Sequence, residues 1–122
     1  MSDSKKTLVL GASLKSWRTS HDAVNRLVKF GHPVVAVGLR EGKIGEVDIV
    51  KEPPADTDFD TVTIYLNAQN QKKYYDYLLA LKPKRIIFNP GAENPELEKL
   101  AEEKGIDVWE ACTLTTLASR LY

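Results

Sequence analysis

Short β-branched and aliphatic runs alternate along this chain with longer amphipathic stretches, and that alternation narrows the fold class more than any single motif. Lys6-Thr7-Leu8-Val9-Leu10 ends at Gly11, as a buried parallel strand does. From Ser20 to Phe30, the residues Ala23, Val24, Leu27, Val28 and Phe30 form an apolar stripe at helical spacing, with Gly31 and Pro33 to stop it. Further strands are predicted at Pro33–Val37, Thr61–Tyr65, Arg85–Phe88 and Ile106–Trp109. A helix is expected from about Asn70 to Leu81, with Tyr74, Tyr77, Leu78 and Leu81 facing the core. Asn94-Pro95-Glu96 opens another with a cap, a proline at its first position and a first-turn acid, and Gly105 ends it. Thr113–Ser119 reads as a short closing helix.

Strands alternating with helices imply right-handed crossovers. The expectation is therefore an α/β fold: one Rossmann-like domain over residues 1–122, with a five-stranded, mainly parallel sheet and helices on both faces. Leu39 to Asp58 is the least regular stretch, where Gly42 and Gly45 bracket Lys43-Ile44 and Val47–Val50 has the look of a short edge strand. No internal repeat or low-complexity segment interrupts the pattern.

Composition sets the partners. Lys+Arg and Asp+Glu balance at 17 each, which speaks against nucleic acid or an anionic membrane as the main partner. One cysteine, Cys112, allows no intrachain disulfide, and His21 and His32 lack metal-ligand spacing, so no metal is expected. With no signal peptide and no long apolar run, a cytoplasmic location is expected.

In an open parallel sheet a ligand sits beyond the carboxyl ends of the strands, where strand order reverses. Five strand ends are candidates: Gly11-Ala12-Ser13, Gly38-Leu39-Arg40, Leu66-Asn67, Asn89-Pro90-Gly91 and Glu110-Ala111-Cys112. The first loop, Gly11-Ala12-Ser13-Leu14-Lys15-Ser16, lacks the second and third glycines of a dinucleotide fingerprint. It is also long, carrying Lys15, Arg18 and the Ser13 and Ser20 hydroxyls toward a helix N-terminus that Ser20 would cap. Either base alone reads equally well as a solvated surface residue; the loop's place after the first strand favours phosphate binding. After the second strand, an NAD site wants an acid. Arg40 stands there instead, with Lys43 close behind, which suits a ribose bearing an extra phosphate: 2′ in NADP or 3′ in coenzyme A.

Gly11-Ala12-Ser13, Arg18-Thr19-Ser20 leading into the first helix, and Asn89-Pro90-Gly91 after the fourth predicted strand give the chain its resemblance to a known family. Over roughly Thr7 to Leu117 it resembles the small stand-alone CoA-binding domain proteins, which are similar to the CoA-binding Rossmann domain of the succinyl-CoA synthetase alpha subunit. The resemblance implies coenzyme A, or an acyl-CoA, at the strand ends. By it, Gly11, Ala12, Ser13 and Arg18 would contact the pyrophosphate, Gly38, Leu39 and Arg40 the adenosine end, and Phe88, Asn89, Pro90 and Gly91 the pantetheine. The synthetases carry a phosphorylated histidine in a further domain that this sequence lacks, so their reaction is not carried over. Cys112 and Glu110 are the remaining candidates for chemistry, but no base or cation near Cys112 in the sequence would activate it, and it reads as a packing residue. Trp17, an aromatic in the first loop, could stack on an adenine. The resulting expectation is a non-catalytic CoA-binding module with any protein partner left open; a small NADP-dependent oxidoreductase is the alternative.

Overall fold

The computed structural model describes residues 4–122. Seven strands form a single sheet: β1 (Thr7–Ala12), β2 (Val34–Gly38), β3 (Gly42–Ile44), β4 (Val47–Val50), β5 (Thr61–Ile64), β6 (Arg85–Phe88) and β7 (Asp107–Glu110). Their spatial order is β3-β4-β2-β1-β5-β6-β7. All neighbours pair parallel except β3 and β4, which form an antiparallel hairpin. Leaving β3 aside, the six parallel strands run third, second, first, fourth, fifth, sixth, the doubly wound Rossmann order.

The expected count of five strands is therefore corrected to seven. Both additions come from the segment that looked least regular. Val47–Val50 pairs parallel to β2, and Gly42–Ile44 folds back on it across Gly45-Glu46. Gly45 sits at φ +58, the left-handed conformation that a two-residue hairpin loop needs at its first position. Lys43 is consumed by this hairpin, pairing with Asp48 across it at 3.1 Å.

The pleat of β1 divides the core. Leu8 and Leu10 point to one face, with Val62, Ile64, Ile86 and Phe88, and are covered by α3 (Tyr75–Leu81) and α4 (Pro95–Glu103). Val9 and Ala12 point to the other, with Ala36, Ile44 and Ile49, beneath α1 (Thr19–Lys29) and α5 (Thr113–Ala118). In α1 only Ser20, Ala23, Val24 and Leu27 are buried. Val28 and Phe30, expected in the buried stripe, stand about half exposed, because the stripe's width is already filled one turn earlier.

Between β5 and α3 the chain forms α2 (Ala68–Gln71) and a 3-10 turn (Lys72–Tyr74). This helical stretch starts two residues before the expected Asn70, because Asn67 caps it by accepting the Asn70 N–H at 2.9 Å. Tyr74 and Leu78 are buried against the sheet, and Tyr77 and Leu81 pack at its margin, as expected.

At the amino-end pole of the sheet, Arg85 is buried between the rings of Trp109 and Tyr122, 4.5 and 4.3 Å from their centroids. Its guanidinium donates to the Thr61 hydroxyl and the Tyr122 carbonyl, while the Tyr122 hydroxyl meets that of Thr7 at 2.6 Å.

Candidate functional site

The chain leaves β1 on one side toward β2 and returns to its other side at β5, so strand order reverses around β1. Over that reversal, at the carboxyl ends of the strands, lies a cavity of about 930 Å³. Its walls come from the loop after β1 and the first turn of α1, the ends of β2 and β5, the α2 segment with the turn after it, and Pro90-Gly91 after β6.

Thirteen of the fifteen residues expected at a site line this one cavity: Gly11, Ala12, Ser13, Lys15, Arg18, Ser20, Gly38, Leu39, Arg40, Leu66, Asn67, Pro90 and Gly91. Phe88 and Asn89 do not. Phe88 is wholly buried in the core. Asn89 is spent on internal bonds: its amide donates to the Thr63 hydroxyl and the Ile64 carbonyl at 2.7 and 2.9 Å and accepts the Thr113 N–H at 2.8 Å. Its work is to lash β5, β6 and α5 together beneath the site.

The first loop is shaped by two bonds, Lys15 N–H to the Ser13 hydroxyl oxygen at 3.1 Å and Arg18 N–H to the Lys15 carbonyl at 3.0 Å. Ser20 does not cap α1. Arg18 occupies the N-cap position with extended backbone, and no side chain caps the helix; Ser20 lies inside the first turn and is buried. The amino end of α1 therefore opens on the cavity at Thr19 and Ser20 without a side-chain acceptor, leaving its N–H groups for an anion.

Gly38 is required by close approach. A Cβ there would stand 2.3 Å from the Ala12 carbonyl oxygen, so the ends of β1 and β2 come together under the cavity floor only with glycine. On the other wall the fully buried Gln71 donates its amide to the Leu66 and Ala92 carbonyls at 2.8 and 2.7 Å and accepts from Asn94 at 2.8 Å. This ties the loop after β5 to the loop after β6, fixing Leu66 relative to Pro90 and Gly91.

The electrostatics have one sign. Lys15, Arg18, Arg40, Lys72 and Lys73 line the cavity, and no Asp, Glu, His or Cys does. None of these five cations forms an ion pair among the described residues. In a chain whose charges balance, five of the seventeen cations thus gather at one cleft with no acid among them. Sequence reasoning missed Gln69, Asn70, Lys72 and Lys73. Their signal was a polar, doubly basic stretch directly after the strand that reverses the sheet order.

Trp17 is exposed and stands outside the lining, with the Lys15 ammonium 5.8 Å from its ring centroid. Tyr65 does line the cavity; its hydroxyl is buried without a hydrogen-bond partner, and burial pushes it well above the ordinary tyrosine range. Cys112 and Glu110 lie outside the lining. Burial alone would raise the Cys112 thiol, but hydrogen bonds from the Thr115 side chain and the Thr115 and Leu114 backbone outweigh it and hold it below the usual thiol range. Glu110 is raised by its hydrogen bond with Glu98 and by the charges of Glu98 and Glu93.

No described helix is long and apolar enough to cross a membrane. No curated protein matches the chain in sequence. Among solved structures, an uncharacterized protein is 44% identical and superposes with a TM-score of 0.95, the match covering 99% of this chain and 100% of that one. A hypothetical protein from Pyrococcus horikoshii OT3 (20% identity, TM-score 0.84, 98% of this chain and 84% of that one) shares the fold. So does cell-free ID.343 from Thermus thermophilus (23% identity, TM-score 0.80, 97% and 91%). The CoA binding domain family matches residues 5–118, taking in every strand and helix described above. The chain belongs to the CoA-binding domain family.

Proposed function

We propose that the protein binds coenzyme A or an acyl-CoA in the cavity over the strand ends and does not itself turn it over. The observation that carries this reading is the concentration of Lys15, Arg18, Arg40 and the uncapped amino end of α1 around one cleft that contains no carboxylate. Arg40, past the end of β2, takes the 3′-phosphate of the adenosine. Arg18, Lys15 and the first N–H groups of α1 take the diphosphate. Pantetheine then runs over Gly11 and Leu66 toward Pro90-Gly91.

The lining holds no histidine, carboxylate or cysteine, so the hydroxyls of Ser13 and Ser20 that line it have no such base beside them to activate them. Tyr65, with its hydroxyl raised by burial, stays protonated at neutral pH. Calorimetric titration tests the ligand: CoA is expected to bind more tightly than dephospho-CoA, NAD or NADP. Equal or tighter binding of NADP would turn the reading toward a dinucleotide. Thiol release from acetyl-CoA and succinyl-CoA tests the absence of turnover. A rate above background that vanishes in Cys112→Ser would make the protein an enzyme.

A further inference from the structure

Coenzyme A is a linear molecule, and the strand ends meet its groups in order. Its 3′-phosphate is given above to Arg40, after β2, and its pantetheine arm heads for Pro90-Gly91, after β6. Between those two strands the sheet has β1 and then β5. The diphosphate joins the two halves of the ligand, so it crosses from the end of β1 to the end of β5, strands about 4.8 Å apart. Its adenosine-side phosphate falls to Lys15, Arg18 and the amino end of α1. Its pantetheine-side phosphate falls beside the segment that follows β5.

Lys72 and Lys73 stand on that segment. Both line the cavity, both are exposed, and neither pairs with an acid among the described residues. Two contacts hold their turn close to the end of β1. The fully buried Gln71, directly before Lys72, donates its amide to the Leu66 carbonyl at 2.8 Å, which ties the turn to the first residues past β5. Leu66 in turn lies against Gly11 in β1, where a Cβ would stand 3.1 Å from its backbone nitrogen and its side chain. An ammonium on a flexible four-carbon stem covers the remaining distance of about one strand. Lys73 lies 5.2 Å from the centroid of the Tyr74 ring, a weak contact at an exposed site beside what a phosphate offers.

We infer that Lys72 and Lys73 are the far jaw of a diphosphate clamp and hold the pantetheine-side phosphate, so that the site selects a 5′-diphosphate over a 5′-monophosphate. This inference rests on the CoA reading and adds to it the group that the wall after β5 recognises. Adenosine 3′,5′-bisphosphate and adenosine 3′-phosphate 5′-diphosphate differ by that one phosphate. Titration of the whole protein should show the 5′-diphosphate binding about tenfold more tightly. In the Lys72→Gln, Lys73→Gln double variant the two nucleotides should bind alike, the bisphosphate with its affinity unchanged, and CoA should weaken by about the same tenfold. Arg18→Ala should instead weaken both nucleotides by one factor, since both carry the adenosine-side phosphate. The lysines are exposed, so the melting temperature of the double variant should hold. Equal affinities for the two nucleotides in the unsubstituted protein would overturn the inference while leaving CoA binding intact. So would a double variant that weakens both nucleotides by one factor, or one that binds CoA as tightly as before. Failure of CoA and both nucleotides to bind would overturn the CoA reading itself, and this inference with it.

Discussion

Arg18 and Asn89 both looked like ligand residues in the sequence, and the structure gives them opposite surroundings. Arg18 is exposed at the mouth of α1 and pairs with no acid among the described residues. Arg18→Ala should therefore cost about 1.5–3 kcal/mol of CoA binding, the scale of a hydrogen bond to a charged group. It should leave the melting temperature of the unliganded protein nearly unchanged; full CoA affinity in the variant would remove Arg18 from the site. Asn89 is 1% exposed and the three hydrogen bonds of its side chain are all internal. Asn89→Ala should lower stability by about 1–3 kcal/mol, because the buried Thr113 N–H loses its side-chain acceptor. Its CoA affinity, measured below the melting transition, should fall less than that of Arg18→Ala. An unchanged melting temperature would contradict the lashing role.

The hairpin β3–β4 and the meeting of β1 with β2 show how much of the elements was legible in the sequence. The strand-and-helix alternation was plain, because β1, β2 and β6 carry short apolar runs closed by Gly11, Gly38 and Asn89. Of the hairpin, Val47–Val50 had the look of a short edge strand, but it lies inside the sheet, because Gly42–Ile44, at three residues too short for a period to show, pairs outside it. The turn between the two had one signal, Ile44-Gly45-Glu46-Val47, a glycine at the first position of a two-residue loop between apolar residues. Gly45→Val should cost about 1–2 kcal/mol, since a β-branched residue would be held at positive φ, while Gly45→Asn should be milder. Chemical denaturation of the two variants side by side would check the order. At Gly38 the obstacle is an atom, not a dihedral angle. Gly38→Ala should cost about 1–3 kcal/mol as the two strand ends part, and the floor of the cavity should move with them. Stability and CoA affinity should fall together, unlike the split expected for Arg18→Ala. Of the site, the loop residues were readable from their position after strands. The α2 wall was not, because exposed amides and lysines carry no periodicity, and only the return of the chain to the far side of β1 brings them over the cleft.

Across the whole molecule the strands separate a binding pole from a structural one. His32, at the latter, accepts the Lys5 N–H through Nδ1 at 2.9 Å and packs on Tyr122, with ring centroids 4.9 Å apart. Burial lowers its pKa, and the Lys5 and Arg85 charges lower it further. The folded state therefore prefers neutral His32, and its stabilisation is intact above the unfolded value of 6.5 and is lost as pH falls through the folded one. The melting temperature should decline over that interval, and His32→Asn should remove its share of the decline. The two poles are separated by the length of β1, six residues at about 3.3 Å each, or roughly 20 Å. Tyr122 is bonded to Thr7 and Arg85, at the amino ends of β1 and β6. Whatever is joined to the chain after Tyr122 must leave from that side, whether a fluorescent label, a surface tether or another folded unit. A protein immobilised there would present its cleft outward, with the mouth clear of the support.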